Sequence, residues 1–342
     1  MRRYAAQAAL RLVVTTGCLV WPAIGYGRVV VDMAGQRVTV PDHPARIADL
    51  WFAHNAVTIM LGATARIAVT NDLPATRPWM YRVAPGLHRA TGVVGQVPNV
   101  EMLRDAGVDV GFVSTGAPAL TPMRRIGLPV VQAGFTDEAS LRQAVALTAE
   151  VLGDQRARDK ARRYGAMLDA TRDRVAAMVG GTVPSRRPRV LHIQSLAPLK
   201  IDGTHTIIDE WITRAGGRNV ADIPGNMRPV SVEQVAAWDP DIIILGGDAG
   251  AFDPASAQWA GLRAVRAGHV YRNPAGVFPW DRYGVEFPLQ LLWAARTLYP
   301  DRFATLDMVS ETIKFYRDFF GYDLSSTDAA RILAAEGPDR AP

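Results

Sequence analysis

Short apolar runs alternate along this chain with longer stretches in which apolar side chains recur every three or four positions, the rhythm of buried strands followed by amphipathic helices. Val29 to Val40 predicts two short strands turning at Ala34-Gly35. Arg46 to Leu50 reads as a strand, and Asn55 as the cap of a helix that runs to Leu61 and stops at Gly62. Further strands are expected at Arg66 to Thr70, Val108 to Ser114 and Leu128 to Gln132, with helices around them. Such alternation predicts a parallel, doubly wound α/β lobe.

An amphipathic helix from Asp137 to Leu152 ends at Gly153, and Gln155 to Val179 then continues a helical pattern with few breakers. Ala157, Ala161, Tyr164, Met167, Leu168, Thr171, Val175 and Met178 form its apolar stripe, and Gly180-Gly181 ends it. About 25 helical residues reach nearly 40 Å, long enough to brace two lobes. A second α/β series follows, with strands at Arg189 to Gln194, Asp241 to Leu245 and His269 to Arg272. Its helices are expected at Thr206 to Ala215, Val285 to Leu298 and Asp307 to Phe320, with Ser325 capping a last one. The expected division is therefore a lobe over 28–154, a linking helix over 155–181, a lobe over 182–336 and a polar tail over 337–342.

Composition narrows the class. The 342 residues are 49% apolar and 21% charged, ordinary globular values that exclude a disordered tail or a disulfide scaffold. Basic Met1-Arg2-Arg3, an apolar run from Leu12 to Ile24 and small residues near Gly25 and Gly27 make residues 1–27 a signal peptide, placing the body in the periplasm. Cys18, the only cysteine, sits in that segment; a threonine replaces the aliphatic residue usual three places before a lipidated cysteine, so acylation is the lesser reading. The mature chain then has no disulfide, iron–sulfur ligand or cysteine nucleophile. Net charge is +5, and removing Arg2, Arg3 and Arg11 leaves 35 basic against 33 acidic side chains. Nothing in that balance calls for nucleic acid.

The two lobes carry a matched feature. Asn99-Val100-Glu101 leads through a short helix to Asp109 and a buried strand, and Ser231-Val232-Glu233 leads in the same way to Asp241. Each glutamate alone is explained by a capped helix start, where an acid meets the positive helix end. As a pair on two lobes they also form a two-point acidic surface for a symmetric basic partner.

Ligand candidates follow from the rule that open α/β sheets bind at the carboxyl ends of their strands. Trp51 and Phe52 follow the Leu50 strand, Trp79 and Tyr81 lie in a Pro/Arg-rich loop, and Trp280-Asp281-Arg282 follows the Asn273 to Pro279 loop. Rings offer contact area at small entropic cost, and Arg282 has the planar fork that grips anionic oxygens. Against this, Trp280 also suits a core position, and Arg282 has internal partners available in Asp281 and Glu286. Arg228, then Arg77 and Arg82, are weaker candidates of the same kind. The six histidines show no metal-ligand spacing; His54 or His205 would supply at most one axial contact to a metal already held by a chelator. The nucleophile elbow, phosphate loop and dinucleotide fingerprint are all missing, which argues against an enzyme, and no catalytic residue or resident cofactor is assigned.

Taken in order, these residues resemble the class III periplasmic substrate-binding proteins of ABC importers for ferric siderophores, vitamin B12 and haem. The resemblance runs from about Arg28 to Leu333. It includes Val31-Asp32 to Val40-Pro41, Leu152-Gly153, Ala215-Gly216-Gly217 with Asn219-Val220, Trp238-Asp239-Pro240-Asp241 and Leu298-Tyr299-Pro300. It implies two Rossmann-like lobes with parallel sheets, a single joining helix, limited hinge motion and a shallow cleft. It also implies a monomeric receptor that delivers cargo to an inner-membrane permease and its ATPase, with Glu101 and Glu233 on the positions that dock onto permease arginines. A metal chelate, foremost a ferric siderophore, is the expected cargo, with corrinoid, haem or nickel complexes next. The rivals from other classes are a periplasmic α/β hydrolase and a ligand-sensing domain.

Overall fold

The computed structural model describes residues 27–95 and 97–339; the segment read as a signal peptide, as far as Tyr26 and with Cys18, lies outside them. Strands β1 (Gly27–Val31) and β2 (Arg37–Pro41) pair antiparallel about a turn in which Gly35 takes φ +76°. The first lobe then runs β3 (Ile47–Asp49), α1 (Phe52–Met60), β4 (Ile67–Thr70), α2 (Pro78–Val83), β5 (Thr91–Gly92), α3 (Val100–Asp105), β6 (Val110–Val113), α4 (Leu120–Arg125) and β7 (Val130–Gln132). Its sheet has the order β5-β4-β3-β6-β7, and every pairing is parallel. Crossover helices between parallel strands cover the faces, which is why these strands are apolar along their whole length.

Helix α5 (Glu138–Leu152) starts at a reciprocal cap between Asp137 and Ser140 and stops at Gly153, φ +78°. Helix α6 (Gln155–Val179) has the 25 residues that its pattern predicts. Ala157, Tyr164, Leu168, Thr171 and Val175 form the buried stripe, while Met178, in the last turn, is exposed.

The second lobe runs β8 (Arg189–Leu196), β9 (Leu199–Ile201), α7 (Ile207–Arg214), β10 (Arg218–Asn219), β11 (Arg228–Pro229), α8 (Val232–Trp238), β12 (Ile242–Leu245), α9 (Arg263–Arg266) and β13 (Val270–Arg272). The sheet order is β11-β9-β8-β12-β13, with β10 alongside β8. Helices α10 (Phe287–Leu298), α11 (Met308–Phe315) and α12 (Ser326–Leu333) complete the chain, and Tyr316–Phe320 continues α11 as a wide turn.

Two expectations need correction. The second sheet is not wholly parallel: β9 and β11 run antiparallel to their neighbours, because only Ala197-Pro198 separates β8 from β9 and so short a link can only turn the chain back. Asn55 is not the cap of α1. Trp51 holds that place, and Asn55 lies inside the helix, where its amide donates to the Asp49 and Trp51 carbonyls.

The matched acids occupy equivalent places. Asp109 accepts from the Ala45 and Arg46 N–H groups at the entry to β3, and Asp241 accepts from Arg189 N–H at the entry to β8. Each therefore ties the strand it opens to the central strand of its own sheet. One apolar cluster runs from Ile47 and Met60 through Tyr164 and Leu168 to Trp211, Phe287 and Phe315, so the lobes share a core. The chain's end also returns to the first lobe: Trp79 Nε1 donates to the Glu336 carbonyl at 2.8 Å, and Arg82 Nε to the Tyr322 hydroxyl at 3.3 Å.

Candidate functional site

The carboxyl ends of the two sheets meet at an aromatic contact. Trp51, just after β3, stands 4.7 Å from the ring of Phe135, just after β7, and 6.2 Å from the ring of Tyr283 in the second lobe. Phe52 beside it is 46% exposed. Asn226 donates its amide to the Tyr283 hydroxyl, tying Tyr283 to the loop that enters β11. Arg228 on that strand is exposed. A hollow of about 560 Å³ borders this region, lined from one lobe by Thr136 and Asp137 and from the other by His205, Asp209 and Arg214.

Arg282 is the distinctive cation here. Its Nε is shut off from solvent and has no hydrogen-bond partner. Asp202 feels its charge, and the two acids nearest it in sequence are engaged elsewhere. Asp281 lies 2.9 Å from His192 Nε2. Glu286 accepts from Trp280 Nε1 at 2.9 Å, Tyr316 Oη at 2.5 Å, and the N–H groups of Val277 and Phe278. Burial pushes the Glu286 carboxyl up to about 7 against those four donors. Gly276 is required beside it, since a Cβ there would strike both the Glu286 carboxylate and the Tyr316 hydroxyl.

Three of the expected ligand aromatics belong to the core instead. Trp280 is fully buried against Glu286. Trp79, 2% exposed, is held by the Glu336 carbonyl, and Tyr81 donates to the Asp72 carbonyl at 2.8 Å. Their polar atoms are used internally, so none of the three offers a face to the cleft. His54 is likewise no axial contact. It is fully buried on Phe112, with Nδ1 2.9 Å from Asp49 and Nε2 2.8 Å from a Thr148 hydroxyl that itself donates to Ala144. His205 is exposed at φ +59° on the rim of the hollow.

Arg77 is a strap between the lobes, 3.4 Å from Asp72, 3.7 Å from Asp248 and 4.8 Å above the Phe278 ring. Asp72 is 1% exposed, and burial, opposed by Arg77, raises its carboxyl to about 7. A carboxyl raised on folding stabilises the native state at pH values below its unfolded pKa, and that contribution is lost as pH rises through the folded one. The melting temperature is therefore expected to fall between about pH 4 and pH 7, and Asp72→Asn to flatten that fall. A scanning-calorimetry profile identical in wild type and variant would contradict this.

Glu101 and Glu233 stand exposed on the first turns of α3 and α8, capped by Asn99 and Ser231. The Ser231 hydroxyl and Glu233's own N–H hold the Glu233 carboxyl below its ordinary range. Glu101 is 3.1 Å from Arg104. Among the described residues no group of three or more His, Cys, Asp or Glu is placed to hold a metal, and no helix is long and apolar enough to cross a membrane.

Residues 122–276 match the family model described as periplasmic binding protein. The chain is 26% identical over 337 residues to the molybdate-binding protein MolA of Haemophilus influenzae, covering 89% of this chain and 94% of that one. Across 122–276 the chain thus resembles the periplasmic binding proteins. Solved periplasmic binding proteins share its fold. The molybdate-bound MolA superposes with TM-score 0.77 at 23% identity, over 87% of this chain and 99% of its own. A periplasmic solute-binding protein of Veillonella parvula gives 0.77 at 23%, over 90% and 97%. The nickel-bound Ceue of Helicobacter pylori gives 0.73 at 18%, over 90% and 99%.

Residues that sequence reasoning overlooked are Phe135, Tyr283, Asn226, His192 and Asp202. Phe135 follows β7 as Trp51 follows β3, so the strand-end rule that selected Trp51 also reaches Phe135. Nothing local marks His192, which reads as one more residue of an apolar strand.

Proposed function

We propose that this protein is the solute-binding subunit of an ABC importer, and that its cargo is a compact anion built of oxygen around a metal. The oxyanion class that includes molybdate comes first, and a ferric siderophore or other anionic chelate second. The observation that carries this is Arg282: a guanidinium beside Tyr283 whose Nε is buried without a partner, while Asp281 and Glu286 are committed to other groups and Asp202 meets its charge without a hydrogen bond to it. A planar fork with an unpartnered Nε suits a bidentate anionic oxygen ligand. The molybdate cargo of the relative MolA supports the same class. Loss of Trp79, Tyr81 and Trp280 to the core leaves Trp51, Phe52 and Tyr283 as the accessible rings, a smaller aromatic surface than haem or a corrinoid would favour. In this reading Trp51 and Phe52 wall the cleft, Arg282 and exposed Arg228 neutralise the cargo, and Glu101 with Glu233 orient the loaded protein on its permease. No chemical conversion is required.

The test is titration of the mature protein, followed by tryptophan fluorescence or calorimetry, against molybdate, tungstate, sulfate, ferric siderophores, haem and cobalamin. Tight binding of an oxyanion or anionic ferric chelate is expected. Arg282→Ala is expected to weaken that binding by about 1.5–3 kcal/mol, the range for a hydrogen bond to a charged group. Preference for haem or cobalamin, or an Arg282→Ala protein that melts earlier yet binds as tightly, would overturn the assignment.

A further inference from the structure

His192 lies in the middle of β8 with no exposure to solvent, and each ring nitrogen faces a buried carboxylate. Nδ1 is 3.0 Å from Asp202 and Nε2 is 2.9 Å from Asp281. A neutral imidazole has one N–H and one lone pair, so one of these contacts would set a lone pair against a carboxylate oxygen. Protonation of both nitrogens removes that conflict. Burial opposes the charge, yet the two carboxylates outweigh it and raise the ring to about 9. Asp202 is held below its usual range although burial acts to raise it: the ring, Met227 N–H and Arg282 all favour its charge.

Both carboxylates lead directly to the proposed site. The other oxygen of Asp202 accepts from Met227 N–H at 2.8 Å, between Asn226 and Arg228. Asp281 precedes Arg282 and Tyr283, and its carbonyl accepts from Trp211 Nε1 at 3.1 Å. One ring thus ties β8 to both loops that carry the cations. Asp202 and Asp281, with Arg282 and Tyr283 beyond them, are the charged and titratable groups around it. Helix α7 offers Trp211, 6.0 Å away edge-on, and β12 offers Ile244, neither of them titratable.

We propose that His192 is a positioning residue for anion capture: as an imidazolium it fixes the two cation-bearing loops and limits the buried cluster to a single net negative charge, leaving Arg282 free for the cargo. This rests on the anion reading above. With a neutral residue in its place the cluster carries two negative charges in a medium where charges interact strongly, and it draws Arg282 inward in competition with the ligand.

The charge argument sets the experiment. Molybdate or tungstate, whichever the wild type binds, is titrated into wild type, His192→Gln and the double variant His192→Gln/Asp202→Asn. Each protein's melting is recorded alongside. The single variant is expected to bind at least tenfold more weakly. The double variant, which restores one net negative charge, is expected to regain most of that loss, although it lacks one more native contact. Equal affinity in the single variant, or a double variant weaker still, overturns the proposal. Should the variants fail to fold, wild-type affinity carries the test: it is expected to stay level from pH 6.5 to 8 and fall at least tenfold by pH 10, and a level profile overturns it. A wild type that binds none of the anions refutes the cargo reading instead. The ring is then read by nitrogen NMR at pH 7.5, where two protonated nitrogens uphold the tie and one overturns it.

Discussion

Glu286→Ala is expected to lower stability by about 3–5 kcal/mol, the largest loss of any single substitution considered for this protein. The carboxylate takes hydrogen bonds from an indole, a phenol and two backbone N–H groups in a space with no solvent. Alanine leaves three donors without an acceptor, since Val277 N–H keeps the Tyr316 hydroxyl at 3.1 Å, and an orphaned buried donor costs about 1–3 kcal/mol before any relaxation. In a chain of this size the loss corresponds to a fall in melting temperature on the order of 10 °C. Glu286→Gln keeps the shape and one good acceptor oxygen, and is expected to lose about half as much. Melting curves by circular dichroism decide the matter, and a fall below about 2 °C for the alanine variant would show that the loop from Val277 to Trp280 is held by other means.

Changing both Glu101 and Glu233 to alanine is expected to abolish most uptake in cells while leaving cargo affinity and melting temperature close to wild type. Both side chains are exposed and lie one on each lobe, and neither supports the core. Charged groups on a docking rim govern the rate and orientation of encounter more than the stability of either partner. Either single change is expected to have the smaller effect, because one contact still orients the receptor. Transport of labelled cargo in a strain dependent on this protein, with binding measured on the same purified variants, separates docking from capture. Undiminished uptake by the double variant would remove the docking role.

The sequence disclosed the parts of the architecture that local rules govern. Helix α6 is legible because Gly180-Gly181 and Gly153-Asp154 bracket a single apolar stripe, and α5 because Asp137 and Gly153 mark its ends. The paired acids on α3 and α8 are legible because a capping residue, an acid and a strand recur at one spacing. What escaped reading depends on partners distant in the chain. Trp51 and Trp280 both sit in loops after strands, and only the packing of Glu286 and Tyr316 makes one of them core and leaves the other at the cleft. Trp79 is settled by a carbonyl at position 336. The Asp202–His192–Asp281 tie joins three segments whose individual sequences carry no sign of it, and β9 turned antiparallel on a two-residue link that the apolar pattern did not register.

The return of the C-terminal segment to the first lobe, through Trp79 with Glu336 and Arg82 with Tyr322, adds an attachment to α6, the shared core and the Arg77 strap. A body fastened to another at one point can swivel freely; fastened at several separated points, it can shift only slightly. The two halves are thereby expected to stay close to one mutual orientation, so that a ligand between them would meet a nearly preformed seat.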